Sequence, residues 1–382
     1  MTTAPPLADK DTATRQSLAH GPLGTTLLHI ERARRGTGSW QCVHRQLATV
    51  GPLIYGNDAN LFLGAPAMAY TLHLAAADSE RYAGALHTLD AIVAAHTRRR
   101  LRAAHARIDQ GKPTSFAEYD LLRGLTGLGA LLLRRAPDSD EMKGVLKYLV
   151  RLTKPIPGPD REVLPGWWVR HAPTHLGTPT PGGHANAGLA HGIAGPLALL
   201  ALAKRHGTTV QGHEDAMARI CRWLDRIRHS DHHGIRWPRW VTKATAMPTS
   251  PAAPSWCYGA PGLARAQQLA AIALGDADRK CMAERALHSC LTDPHQLDQL
   301  TNRGLCHGVG GLLRVVQRVA QDAEEPSAFT EHLSQLNQRF LNIGPAAEAG
   351  FLEGAAGAIL AFQSAEADTA PVTDWDACLL LI

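Results

Sequence analysis

Apolar residues along this 382-residue chain fall into two alternating kinds of run. One kind is apolar on every side, as in Leu197-Ala198-Leu199-Leu200-Ala201-Leu202-Ala203, the pattern of a helix surrounded by protein. The other mixes charge with apolar residues at helical spacing, over Leu86 to Ile108, Glu141 to Leu152, Glu214 to Ile227 and Arg279 to Leu291, as a helix with one solvated face does. The all-apolar runs follow Gly-x-x-Gly units, which begin at Gly21, Gly124, Gly192, Gly259, Gly308 and Gly354; a degenerate copy, Gly64-Ala65-Pro66-Ala67, makes seven. Their starts are 43 to 68 residues apart, room for an inner helix, an outer helix and connecting loops, so the chain reads as seven helical hairpins.

An array of hairpins is either an open solenoid or a closed ring. Solenoids need polar capping repeats, whereas the first and last units here are as apolar as the middle ones. The expected fold is all-α: an α/α toroid of seven inner and seven outer helices in which both chain ends meet. The glycines would gather the N-termini of the inner helices at one rim, where missing side chains let backbones approach and helix dipoles favour anions. On this reading residues 17–382 are one domain, preceded by a disordered lead-in over 1–16. Two long connections, about 154–186 and 229–255, are insertions, and Ile235 to Val241 in the second is expected to form a short β-hairpin. Their Trp and Arg residues suit a lip that grips a peptide, or equally aromatic plugs that pack the loops onto the ring.

Composition narrows the class. Hydrophobic residues make up 45% of the chain, ample for a core, yet no run of ~18 apolar residues suggests a transmembrane helix. Met1 to Gln16 lacks the apolar stretch of a signal peptide, which points to the cytoplasm. Seven cysteines, an odd number, do not make a disulfide framework and fit metal ligation by reduced thiols better. The net charge of +5 is modest, and the cluster Arg98-Arg99-Arg100-Leu101-Arg102 lies in a helical run without interleaved aromatics, so it reads as a solvated outer face and not a nucleic-acid site.

Candidate chemistry collects on the glycine units. Cys257 stands two residues before Gly259, as Cys306 stands two before Gly308, and His307 follows Cys306 directly. Equivalent positions in adjacent repeats would aim both thiols at one point beside the imidazole, a zinc-type donor set. Two thiolates and one neutral imidazole leave Zn²⁺ formally neutral with a fourth position open, the pattern of a catalytic site. His191 and Tyr258 take the place of His307 in their own repeats, directly before the first glycine, and Asp120 lies four residues before Gly124. His20 shares that register without a nearby cysteine and is read as structural.

At Trp256-Cys257-Tyr258-Gly259, Cys306-His307-Gly308 and Gly188-Leu189-Ala190-His191-Gly192 the sequence resembles the lanthipeptide cyclases, the LanC-like family, and the order of repeats and motifs extends the resemblance over nearly the whole chain. The resemblance implies an α/α toroid with one zinc held by Cys257, Cys306 and His307, and a site lined by His191, Asp120 and Tyr258. It implies a dehydrated precursor peptide as substrate, whose Cys thiols are added to dehydroalanine or dehydrobutyrine to form thioether rings. A dehydratase and an exporter of the same pathway are the implied partners, with peripheral association at the membrane through them. One departure is plain: where the family often carries an Arg shortly before the Trp-Cys-Tyr-Gly motif, this chain reads Pro251-Ala252-Ala253-Pro254, leaving Arg236, Arg239 and Arg303 as unranked substitutes. Two rival readings are a non-catalytic LanC-like protein that binds zinc and thiols, and a zinc prenyltransferase. The second would need a basic diphosphate pocket and an Asp-Cys-His ligand order, and the sequence displays neither.

Overall fold

The computed structural model describes residues 10–77, 79–159, 162–172, 180–232, 234–243, 252–366 and 371–382. A helix follows each glycine unit: α1 (Pro22–Arg34), α3 (Ala65–Ala76), α5 (Leu125–Arg135), α7 (Ala194–Arg205), α9 (Ala260–Leu274), α11 (Val309–Asp322) and α13 (Ala355–Glu366). Between them run α2 (Trp40–Ala48), α4 (Ala83–Asp109), α6 (Asp140–Leu152), α8 (His213–Ile227), α10 (Ala277–Leu291) and α12 (Thr330–Asn342). The odd-numbered helices each pack on the next, and α13 packs back on α1, so they close an inner ring. Burial follows the pattern in the sequence. Every residue of α7 from Ala194 to Ala203 is buried, while α8 buries one face, including Met217, Ile220 and Leu224, and leaves Glu214, Arg222 and Arg226 exposed. Side-chain caps start several outer helices, Ser139 accepting from Met142 N on α6 and Asp276 from Arg279 N on α10.

The turns entering the inner helices are tied to one another around a single rim. In each linked turn, the carbonyl two residues before the first glycine accepts from the backbone of a neighbouring turn. Ala190 O accepts from Leu121 N at 3.1 Å, Cys257 O from Leu189 N at 2.9 Å, and Cys306 O from Cys257 N at 3.2 Å. Leu352 O accepts from Cys306 N, Ala19 O from Leu352 N, and Phe62 O from Leu18 N, all within 3.0 Å. The second glycine of a unit permits this geometry. A Cβ on Gly262 would lie 2.0 Å from Trp256 O, and one on Gly311 would lie 1.9 Å from Leu305 O, because each helix begins against the carbonyl of its own entering turn.

Three expectations change. The lead-in is ordered where it is described: Lys10–Arg15 is a short helix, and the buried Gln16 side chain accepts from Ile54 N and donates to Pro52 O. No seventh outer helix follows α13 among the described residues. Instead the last residues enter the ring, where a 3₁₀ turn at Trp375–Leu379 is fully enclosed. Glu31 of α1, Tyr70 of α3, Arg134 of α5, Arg265 of α9 and Arg314 of α11 all bond to residues 372–381, which only a central position allows. The segment is nearly all apolar around Asp376, with no polar stripe to face water, so the interior is where it loses least.

The third change concerns the hairpin expected over Ile235 to Val241. The observed hairpin lies earlier, pairing His229–Asp231 with Gly234–Arg236, while Trp240–Thr242 pairs with His184–Asn186 and joins the two insertions. A further hairpin pairs Ile156–Pro157 with Val163–Leu164. The tryptophans act as plugs: Trp167, Trp168 and Trp237 are buried, and Trp237 Nε1 donates to Leu224 O of α8. Of the basic cluster on α4, Arg98 and Arg99 are exposed as expected, but Arg100 donates to the carbonyls of Ala117 and Arg123 and braces a rim turn. No helix among the described residues is long and apolar enough to cross a membrane.

Candidate functional site

The rim explains why two cysteines 49 residues apart meet. Position two before the first glycine is held by Cys257 and Cys306 in consecutive turns, and the bond from Cys257 N to Cys306 O clamps those turns together. The sulfur atoms and a ring nitrogen of His307 all lie within 4.8 Å of one another. A tetrahedral zinc with bonds of roughly 2.0–2.3 Å needs ligand atoms roughly 3.3–3.8 Å apart, which small rotamer adjustments would supply. The donor set fits electrostatically as well. Cys257, only 6% exposed, is held well below the ordinary thiol range by hydrogen bonding from the Cys306 thiol, against the upward push of burial and with help from His307. Cys306 is pushed up by sharing a proton with that thiolate, and His307 is raised by its bond to Cys257. Sharing one proton across the pair therefore favours the thiolate form of Cys257.

These three residues open onto a cavity of about 800 Å³. His191 and Tyr258 line it, as does Arg239 from the second insertion. His191 Nδ1 lies 2.5 Å from Asp120 Oδ2, and the other carboxylate oxygen, Oδ1, accepts from Arg123 N and Gly124 N at 2.6 and 2.9 Å. Asp120 is thus wholly buried and fully engaged, capping its own turn with one oxygen and orienting the imidazole with the other. That leaves His191 Nε2 for a partner in the cavity. Tyr119 Oη donates to His191 O at 3.2 Å and steadies the backbone behind the ring. The Tyr258 phenol is pushed up to about 12 by burial, so it remains a hydrogen-bond donor.

The three substitute arginines separate clearly. Arg239 Cζ sits 3.8 Å over the Tyr258 ring at the cavity wall. Arg236 pairs with Asp231 on the hairpin, and Arg303 lies over Phe340 and donates to Leu341 O. Arg123 and Glu353 also line the cavity and were not singled out from the sequence, although both stand directly before a first glycine as His191, Tyr258 and His307 do. From Gly124 to Gly354, that single register position supplies five of the cavity's residues. Glu353 Oε1 is 3.8 Å from His307 Nδ1. Phe116 and His171 line the cavity from loops that carry no repeat signal. His20 holds the same register across the ring, half-exposed beside Glu348 and away from the cavity.

Comparison with known proteins follows the same lines. The family model described as lanthionine synthetase C-like protein matches residues 12–380. A curated relative, the nisin biosynthesis protein NisC of Lactococcus lactis subsp. lactis, is 25% identical over 350 residues, spanning 88% of this chain and 79% of that protein. The solved structure of a nisin cyclase superposes with a TM-score of 0.80 at 22% identity, covering 98% of this chain and 94% of the other, which establishes the shared α/α toroid.

Proposed function

The chain belongs to the lanthionine synthetase C-like family, and from that premise we propose that it is a zinc-dependent cyclase that adds peptide Cys thiols to dehydrated Ser and Thr residues. The observation that carries the proposal is one cavity holding both the Cys257, Cys306 and His307 donor set and the Asp120-oriented His191. Zinc bound by those three residues would supply Lewis acidity that lets a neighbouring thiol ionise near neutral pH.

The remaining work falls to the chain itself. Thiolate attack on the β-carbon of a dehydroalanine forms the C–S bond and moves an electron pair onto the carbonyl as an enolate. Arg239 and the protonated Tyr258 stand as donors for that developing charge. The α-carbon then takes a proton from His191 Nε2, and the buried Asp120 carboxylate stabilises the imidazolium that carries it. The thiol proton lost at the start balances the proton gained at the end, so the product has the mass of the substrate.

Incubation with a dehydrated, Cys-containing peptide tests this directly: free thiol should disappear with no change in mass. Persistence of the thiol in zinc-loaded protein would instead favour the rival reading of a zinc and thiol-binding protein. For the metal, Cys257→Ala should lose most of its zinc, because a two-ligand remnant forfeits a bond and the chelate geometry. Full occupancy in that variant, by elemental analysis, would remove the assignment. For the cation, Arg239→Ala should cut kcat by roughly 10²-fold, the worth of one charge-stabilising donor, while zinc content is unchanged. A variant with wild-type kcat would exclude Arg239 from the reaction.

A further inference from the structure

A second concave surface lies outside the ring, between α8 and the hairpin of Ile156–Pro157 and Val163–Leu164. It encloses about 580 Å³. Arg219, Arg222 and Arg226 form one wall; their spacing of three and four residues places them on a single stripe of α8. Arg222 and Arg226 are exposed and form no ion pair with any described residue, and no described carboxylate lines the groove. The floor is aromatic: Trp167 and Trp223 meet edge to face with centroids 5.2 Å apart. Trp167 is 2% exposed, yet its indole N–H has no acceptor among the described residues. At the hairpin edge Val163 is 74% exposed, an apolar side chain with nothing to cover it.

We infer that this groove binds an extended peptide segment in which carboxylates alternate with apolar side chains, and that the segment belongs to the same peptide whose thiol reaches the cavity. Arg219 Nε is already engaged by Thr153 Oγ1, but the guanidinium groups of Arg222 and Arg226 beside an aromatic floor match carboxylates and disfavour ammonium groups. Position supports a shared peptide. Trp167 lines the groove and His171 lines the cavity, so the two walls share one stretch of chain, and the Cα atoms of those residues are at most roughly 14 Å apart. A peptide held in the groove would keep its reactive part near the cavity at high effective concentration. Only the identity of that peptide rests on the cyclase reading; the recognition chemistry does not.

The test is fluorescence anisotropy with a fluorescein-labelled dodecapeptide of repeating Leu-Asp-Gly, against the same peptide with Lys for Asp. The acidic peptide should bind at least about 10-fold more tightly, with affinity that falls as salt rises. Arg222→Glu combined with Arg226→Glu should reduce its binding by about 10-fold or more, and the matching pair of Gln substitutions by less. Arg285→Glu, an exposed charge reversal on α10, should leave it unchanged. With a dehydrated peptide carrying such an acidic segment, the double Glu variant should raise KM at unchanged kcat. Equal binding of the acidic and basic peptides, an equal loss in Arg285→Glu, or tighter binding of a labelled oligothymidylate than of the acidic peptide would each overturn the inference. Binding is read without turnover. Acidic-peptide binding without ring formation would therefore count against the cyclase reading alone, and ring formation without acidic preference against the groove alone.

Discussion

His191→Asn should retain close to one equivalent of zinc while ring closure slows by ~10² to 10⁴, the usual worth of a positioned acid. The two readouts separate because the metal donors come from the turns at Gly259 and Gly308, whereas His191 belongs to the turn at Gly192 and is held by Asp120 at 2.5 Å. Thiol addition to a dehydro residue is reversible until the α-carbon is protonated, so an enzyme without its proton carrier should equilibrate substrate and enolate and leak product slowly through solvent. In deuterated water that leak should give rings of mixed configuration at the α-carbon. Loss of zinc in the variant would make His191 a support of the metal site. Cyclisation at the wild-type rate would make it a structural histidine of the rim.

The largest stability effect is expected from Asp376, at the centre of the ring. Its carboxylate is fully buried and accepts from Arg314 Nε at 2.8 Å and from Arg318 Nε and Nη2 at 2.7 Å. Arg314 is itself 1% exposed, so Asp376→Ala strands a buried cation, a change that typically costs about 3–5 kcal/mol. Denaturant unfolding should show that loss, and a variant as stable as wild type would mean that the C-terminal segment is not held as described. The pH dependence has a definite sign. Although burial alone would raise it, the two arginines hold the folded carboxyl well below the usual carboxylate range, so its contribution is complete above the unfolded value of about 4 and declines as pH falls below it. Over that acid range wild type should lose up to about 1.4 kcal/mol per pH unit through this one group. Asp376→Asn, which has no such proton to take up, should show a correspondingly shallower acid limb.

The closed ring, the inner helices and the zinc-type donor set were legible in the sequence because each depends on a repeated register. A glycine needed where a helix begins against its own turn recurs wherever that turn recurs, and it carries Cys257, Cys306, His307, His191 and Tyr258 with it at fixed offsets. Arg123 and Glu353 stand in the same register and line the same cavity. What lay outside the repeat was decided by tertiary structure. Arg239 outranks Arg236 and Arg303 only because Trp240–Thr242 pairs with His184–Asn186 and sets its guanidinium over Tyr258. Phe116 and His171 reach the cavity on loops whose sequence has no period to read. The last residues of the chain lack the polar stripe of an outer helix, but their sequence alone does not choose where in the interior they sit. Asp376 resolves the choice, since its charge is stable in the interior only where the folded ring brings Arg314 and Arg318 to meet it.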